Sequence, residues 1–261
     1  MKKSLILLFL FVSFYVTGQE KQVKKPEYVI IANNRKIITK KKLFKLGSEG
    51  LVKSMRKGVS KKRRDKLAAK FGDKIGHKEF IVLVQLYTQA EKDRIQKIKT
   101  TEPKSKSMVK NNGFKVHKGE KALDFSVKMT DGKTLKLSDL KGKIIILDFW
   151  ATWCAPCLME FYDIHNKILI PFKNPAIVFL PISRGESKDI VKKKLKELTK
   201  KGLKFDSGLD TEKKIWDIYA SGSIPKTLVI DQTGIIKATT VGASEENILT
   251  LKDVISKLLS Q

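Results

Sequence analysis

Apolar positions fall into runs whose spacing indicates secondary structure, and they do so far more clearly after residue 113 than before it. Ile144 to Trp150 is an unbroken β-branched and aromatic run, the pattern of a central strand covered on both faces. Ala176 to Ile182 is a second such run. Phe125 to Met129 and Thr134 to Leu137 flank Asp131-Gly132, and Thr227 to Ile230 and Ile235 to Thr239 flank the turn Asp231-Gln232-Thr233-Gly234; both patterns predict antiparallel pairs. Lys188 to Lys201 is an amphipathic helix carrying Ile190, Val191, Leu195 and Leu198; Lys213 to Tyr219 predicts a shorter helix, and Glu245 to Leu259 a closing one. Strand, helix, strand, helix, hairpin, helix is the order of an α/β fold with a mixed sheet and helices on both faces.

Upstream the pattern is weaker. Val29 to Ala32 and Lys36 to Thr39 around Asn33-Asn34 predict a small hairpin. Lys41 to Met55 reads as helical, as does the stretch from Ser60 to Phe71, with Ser60 as N-cap and Gly72 as stop. Phe80 to Tyr87 is an apolar run compatible with a strand or a buried helical turn. Residues 100–113, with Pro103, several Ser and Lys, and Asn111-Asn112-Gly113, read as a linker. The organisation expected is a leader over 1–18, a small basic α+β domain over 19–99, the linker, and the α/β domain over 114–261.

The leader rests on Lys2 and Lys3, an apolar run from Ser4 to Val16 and the small-residue site Val16-Thr17-Gly18, the layout of a secretory signal. A run of roughly 13 residues is short of the ~20 that span a bilayer. Export to the periplasm or cell envelope is therefore expected.

Charge marks the same division. The formal net charge is +27. Residues 19–113 hold 27 Lys and Arg against 9 Asp and Glu, a net +18, and residues 114–261 hold 25 against 18, a net +7. The run Lys61-Lys62-Arg63-Arg64 would suit nucleic acid in another compartment. In an exported chain it reads first as a solvated face, then as a surface for docking acidic partners or an anionic membrane.

Two cysteines in an exported protein usually make a structural staple. Cys154 and Cys157 are too close for that, because stabilisation by a crosslink shrinks with the loop it closes. A strand ending in C-x-x-C instead places the first cysteine at a helix N-terminus, where free N–H groups and the helix dipole favour the thiolate. Cys154 is then the nucleophile and Cys157 the resolving thiol, with Pro156 fixing the first turn. A zinc site would need two further ligands from His77, His117 and His165, which share no motif. No metal or other cofactor is expected beyond the redox-active disulfide.

Leu147-Asp148-Phe149-Trp150-Ala151-Thr152-Trp153-Cys154-Ala155-Pro156-Cys157 resembles the active-site segment of thioredoxin. With Leu158-Met159-Glu160-Phe161 and the preceding hairpin, the stretch from about 114 to 261 is similar to the TlpA/ResA-like exported disulfide reductases. The resemblance implies a thioredoxin-like fold and a cis-proline facing the cysteines, matched by Pro225 after Ile224, whose backbone would pair with a substrate strand. Trp153 would contact substrate at the rim. The family often has Thr after this proline; this chain has Lys226. Asp148 resembles the buried acid of thioredoxin, the proton acceptor for the resolving thiol, its pKa raised by burial. Glu160 shares a helix face with Cys157 and matches the family glutamate that tunes the cysteines, so that removing its negative charge would favour thiolate.

The function expected is reduction of disulfides in exported proteins, with electrons from an envelope thiol carrier. Two alternatives stay open: an oxidase using the same residues, and a binding protein whose basic N-terminal unit is the working part.

Overall fold

The computed structural model describes residues 22–57, 59–76, 78, 80–94 and 113–261. The leader and nearly all of the linker lie outside them.

The second half forms a seven-stranded mixed sheet. Its strands are β5 (Ser126–Met129), β6 (Thr134–Lys136), β7 (Ile144–Trp150), β8 (Ile177–Arg184), β9 (Gly208–Asp210), β10 (Lys226–Ile230) and β11 (Ile236–Val241), in the order β11-β10-β7-β8-β9-β5-β6. β7, β8 and β9 run parallel, while β10 pairs antiparallel to β7 and β5 antiparallel to β9. Every residue of β7 is buried, as its continuous apolar run requires. Ile145, Leu147 and Phe149 enter the core beneath the hairpin β5–β6 and α5 (Lys214–Tyr219). The alternate residues Ile144, Ile146, Asp148 and Trp150 point the other way, toward α3 (Ala155–Ile164) and α6 (Glu245–Leu259). α4 (Lys188–Lys200) completes this layer through Val191, Leu195 and Leu198, while Ile190 faces solvent.

The first half forms a four-stranded sheet, β2-β1-β4-β3, from β1 (Tyr28–Ala32), β2 (Lys36–Ile38), β3 (Val52–Lys57) and β4 (Phe80–Leu86), with α1 (Lys40–Ser48) and α2 (Lys61–Phe71). Asn33 and Asn34 both have positive φ, as the predicted two-strand turn requires. Ser60 caps α2 through the Arg63 N–H, and Gly72 closes it at φ 54°. The single helix expected over 41–55 is corrected: α1 stops before Gly50 at φ 68°, and Val52–Lys57 leaves as an edge strand against β4. A left-handed glycine after a helix is a stop signal, and pairing with β4 makes the next segment a strand. Phe80–Leu86 is a strand.

The two halves touch through an N-terminal arm. The Val23 N–H donates to Asn166 Oδ1 and the Asn166 amide donates back to the Val23 carbonyl, both at 2.8 Å. Lys25 pairs with Asp163 on α3. Val23 and Phe80 pack against the apolar cluster beneath α3 and α4. No helix of the described residues is long and apolar enough to cross a membrane.

Candidate active site

β7 delivers the chain to the top of the sheet, where residues 151–154 turn into α3. Thr152 is held there by Glu186, which accepts from its N–H at 2.8 Å and its hydroxyl at 2.5 Å, and also from Ser183 at 3.1 Å. The Trp150 indole N–H donates to Ser207 Oγ at 3.0 Å. Sequence reasoning misses Glu186, because Thr152 lies 34 residues away from it and no local pattern joins them.

Cys154 is the N-cap of α3, its sulfur accepting from the Cys157 N–H at 3.3 Å. The two cysteines are joined as a disulfide. Cys154 is 3% exposed and Cys157 0%, whereas Trp153 beside them is 65% exposed. The sulfur of Cys154 thus sits where the helix offers unpaired N–H groups and the positive end of its dipole. Among the described residues no three His, Cys, Asp or Glu side chains come together that could hold a metal ion.

The Ile224–Pro225 peptide is cis, and the Pro225 carbonyl accepts from the Gly242 N–H at 2.9 Å. Among the described residues the Ile224 N–H and C=O meet no hydrogen-bond partner. Ile224 packs between the apolar clusters on the two sides of the sheet. Lys226, the residue after Pro225, turns away from the face that carries α3. Its ammonium lies 5.3 Å over the Phe114 ring and donates to the Ser223 carbonyl at 3.1 Å. Burial, then the nearby Arg184 guanidinium, lowers its pKa.

Beneath α3 lies a buried acidic pair. Asp148 is 0% exposed and Glu160 1%; on the helix face shared with Cys157, Glu160 is inside rather than at the surface. The Thr227 hydroxyl lies 3.3 Å from Asp148 Oδ1 and 3.2 Å from Glu160 Oε1. One hydroxyl carries one proton, so it donates to one carboxyl while accepting from the other only if that other is protonated. Among the described residues Asp148 Oδ2 and Glu160 Oε2 have no hydrogen-bond partner. Burial pushes the Asp148 carboxyl up to about 8. Burial, then the charge of Asp148, raises Glu160 well above the usual carboxylate range. Burial thus disfavours the charged form of Glu160 on the helix face it shares with Cys157. In the sequence Thr227 reads only as the start of a strand; its register opposite Asp148 is what makes it the bridge.

Comparison with known proteins agrees with this geometry. Residues 118–239 match the AhpC/TSA family. The chain is 34% identical over 134 residues to the thiol-disulfide oxidoreductase ResA of Bacillus subtilis, covering 51% of this chain and 73% of that protein. It is 32% identical over 128 residues to ResA of Bacillus anthracis, covering 49% and 72%. A solution structure from Bacteroides thetaiotaomicron, designated a protein disulfide isomerase, superposes with a TM-score of 0.53 at 32% identity, covering 57% of this chain and 94% of that one. A cysteine pair at a helix start, packed in one cluster with the residue that precedes a cis-proline, and these relatives place the chain in the thioredoxin superfamily, as a thiol-disulfide oxidoreductase of the ResA family.

Proposed function

We propose that the chain is exported and reduces disulfides of proteins in the cell envelope, being recharged by an envelope thiol carrier. The observation that carries this reading is the buried Asp148–Thr227–Glu160 arrangement behind a cysteine that caps a helix. The Cys154 thiolate attacks one sulfur of the target disulfide, forming a mixed disulfide and releasing the other sulfur as a thiolate. The unpaired Ile224 backbone offers the target segment two main-chain hydrogen bonds. The Cys157 thiol then loses its proton to the ionised fraction of the Asp148 carboxyl. Its thiolate attacks the Cys154 sulfur, closing the Cys154–Cys157 disulfide and releasing the target as a second thiolate. A carboxyl pushed up to about 8 is a far better base near neutral pH than an ordinary carboxylate.

Direction is tested by the reduction potential of the pair, measured by equilibration with a glutathione buffer. The reductase reading expects a value nearer ~ −270 mV than ~ −120 mV. A value above about −150 mV would turn the chain into an oxidase on the same residues.

A further inference from the structure

Between the N-terminal sheet and the cysteine helix runs a groove of about 490 Å³. One wall is the sheet face away from α2: Tyr28, Ile30, Phe80 and Val82, with Leu43 of α1 and Met55 of β3. The opposite wall is Ala155 and Pro156, the two residues between the cysteines, together with Met159. Ala243, next to the glycine that bonds the Pro225 carbonyl, closes one side. The groove is thus continuous with the redox site rather than remote from it.

Its charge is one-sided. Lys40 and Lys41 line it, at the start of α1, whose first turn holds no acidic residue. Lysines at the positive end of a helix dipole oppose that dipole and leave a local field that attracts anions. The Lys40 ammonium lies 4.8 Å over the Tyr28 ring, and neither lysine forms an ion pair among the described residues. The acidic groups in the lining are already engaged: Asp163 with Lys25 and Lys167, and Glu245 with Lys167. Glu245 also feels the charge of Lys40. Met55, 44% exposed, and Met159 both line the groove; thioethers adapt to side chains of different shape.

We infer that this groove receives an extended segment of the disulfide-bearing partner, apolar beside its cysteine and acidic toward α1, so that the N-terminal sheet is a substrate-selecting wall. The inference deepens the proposed function and rests on it for the identity of the partner, but binding is read independently of redox direction. Apolar side chains fill the space between Phe80, Met55 and Met159, and carboxylates meet Lys40 and Lys41. Charge complementarity of this kind selects partners more than it tightens them.

The test uses the oxidised full-length chain and two fluorescent cysteine-free peptides, each with a Leu-Phe-Leu centre, one flanked by Asp-Glu pairs and one by Lys-Lys pairs, followed by anisotropy. The acidic peptide is expected to bind about tenfold tighter, a preference that shrinks at high salt. The double variant Lys40→Glu/Lys41→Glu should abolish or invert the preference, and Met55→Asp should weaken the acidic peptide several-fold. Equal binding of the two peptides by the parent overturns the inference. So does a preference that survives charge reversal, since it would belong to other parts of the basic half. A parent that sediments as a dimer, and releases the acidic peptide as protein concentration rises, assigns the groove to a second copy and likewise overturns it. A reduction potential in the oxidase range would instead contradict the reductase reading and leave these outcomes unchanged.

Discussion

Asp148 shows how one residue links stability and chemistry. Its carboxyl sits in the row of β7 side chains that faces α3, at a place where Ile144, Ile146 and Trp150 are apolar, and burial pushes its pKa up to about 8. Because its folded pKa lies above the unfolded value, its contribution to stability is full below about pH 4 and is lost as pH rises through about 8. The midpoint of urea unfolding of the oxidised protein should therefore fall between pH 5 and 9. Asp148→Asn should flatten that fall and raise stability at pH 8 by about 1–3 kcal/mol, since an amide has no charge to desolvate. The same variant should slow resolution of a mixed disulfide by on the order of 10- to 100-fold near neutrality, with the first attack by Cys154 little changed. Rapid-quench measurement of the two steps checks this; equal slowing of both would make Asp148 a packing residue. The dithiol and Asp148 are legible because they lie in one short stretch of chain. Thr227 and Glu186 are not, because each acts on a residue 34 or more positions away through strand register and loop closure that no local pattern encodes.

Whether an element is legible depends on how much of its pattern is its own. β7, apolar at six of its seven positions, and α6, capped by Ser244 and opened by Glu245 and Glu246, carry their boundaries in their sequences. β9 does not: Gly208–Asp210 is three residues long with no periodicity of its own, and it becomes a strand because β8 and β5 hold it from both sides. Gly208 is what allows this close approach. A Cβ there would meet Val127 Cγ2 at 2.9 Å and Ile182 Cγ1 at 3.2 Å, both in the core beneath β5 and β8. Gly208→Val should destabilise the chain by about 1–3 kcal/mol through overpacking, read as a lower thermal midpoint. An unchanged midpoint would mean that the sheet yields at this point. β3 is hidden for the opposite reason, because helical periodicity runs on past Gly50 into residues that only β4 defines as a strand.

Across the whole molecule, a redox unit of modest charge is combined with a sheet that carries most of the positive charge. The Val23–Asn166 exchange, the Lys25–Asp163 pair and the seating of Phe80 hold that sheet against α3. Composition reveals the asymmetry; only the fold shows that the basic half faces the helix bearing the cysteines. Everything proposed for the molecule depends on the order in which its two sulfurs act. Cys154 caps the helix while Cys157 lies wholly inside it, and the proposed order gives the first covalent contact with a target to Cys154. The most direct measurement incubates Cys157→Ala and Cys154→Ala forms of the full chain, fully reduced, with a disulfide-bearing protein such as insulin, and resolves adducts on a non-reducing gel. Cys157→Ala should accumulate a mixed disulfide that a thiol reductant releases, and Cys154→Ala almost none; equal accumulation by the two would contradict the account.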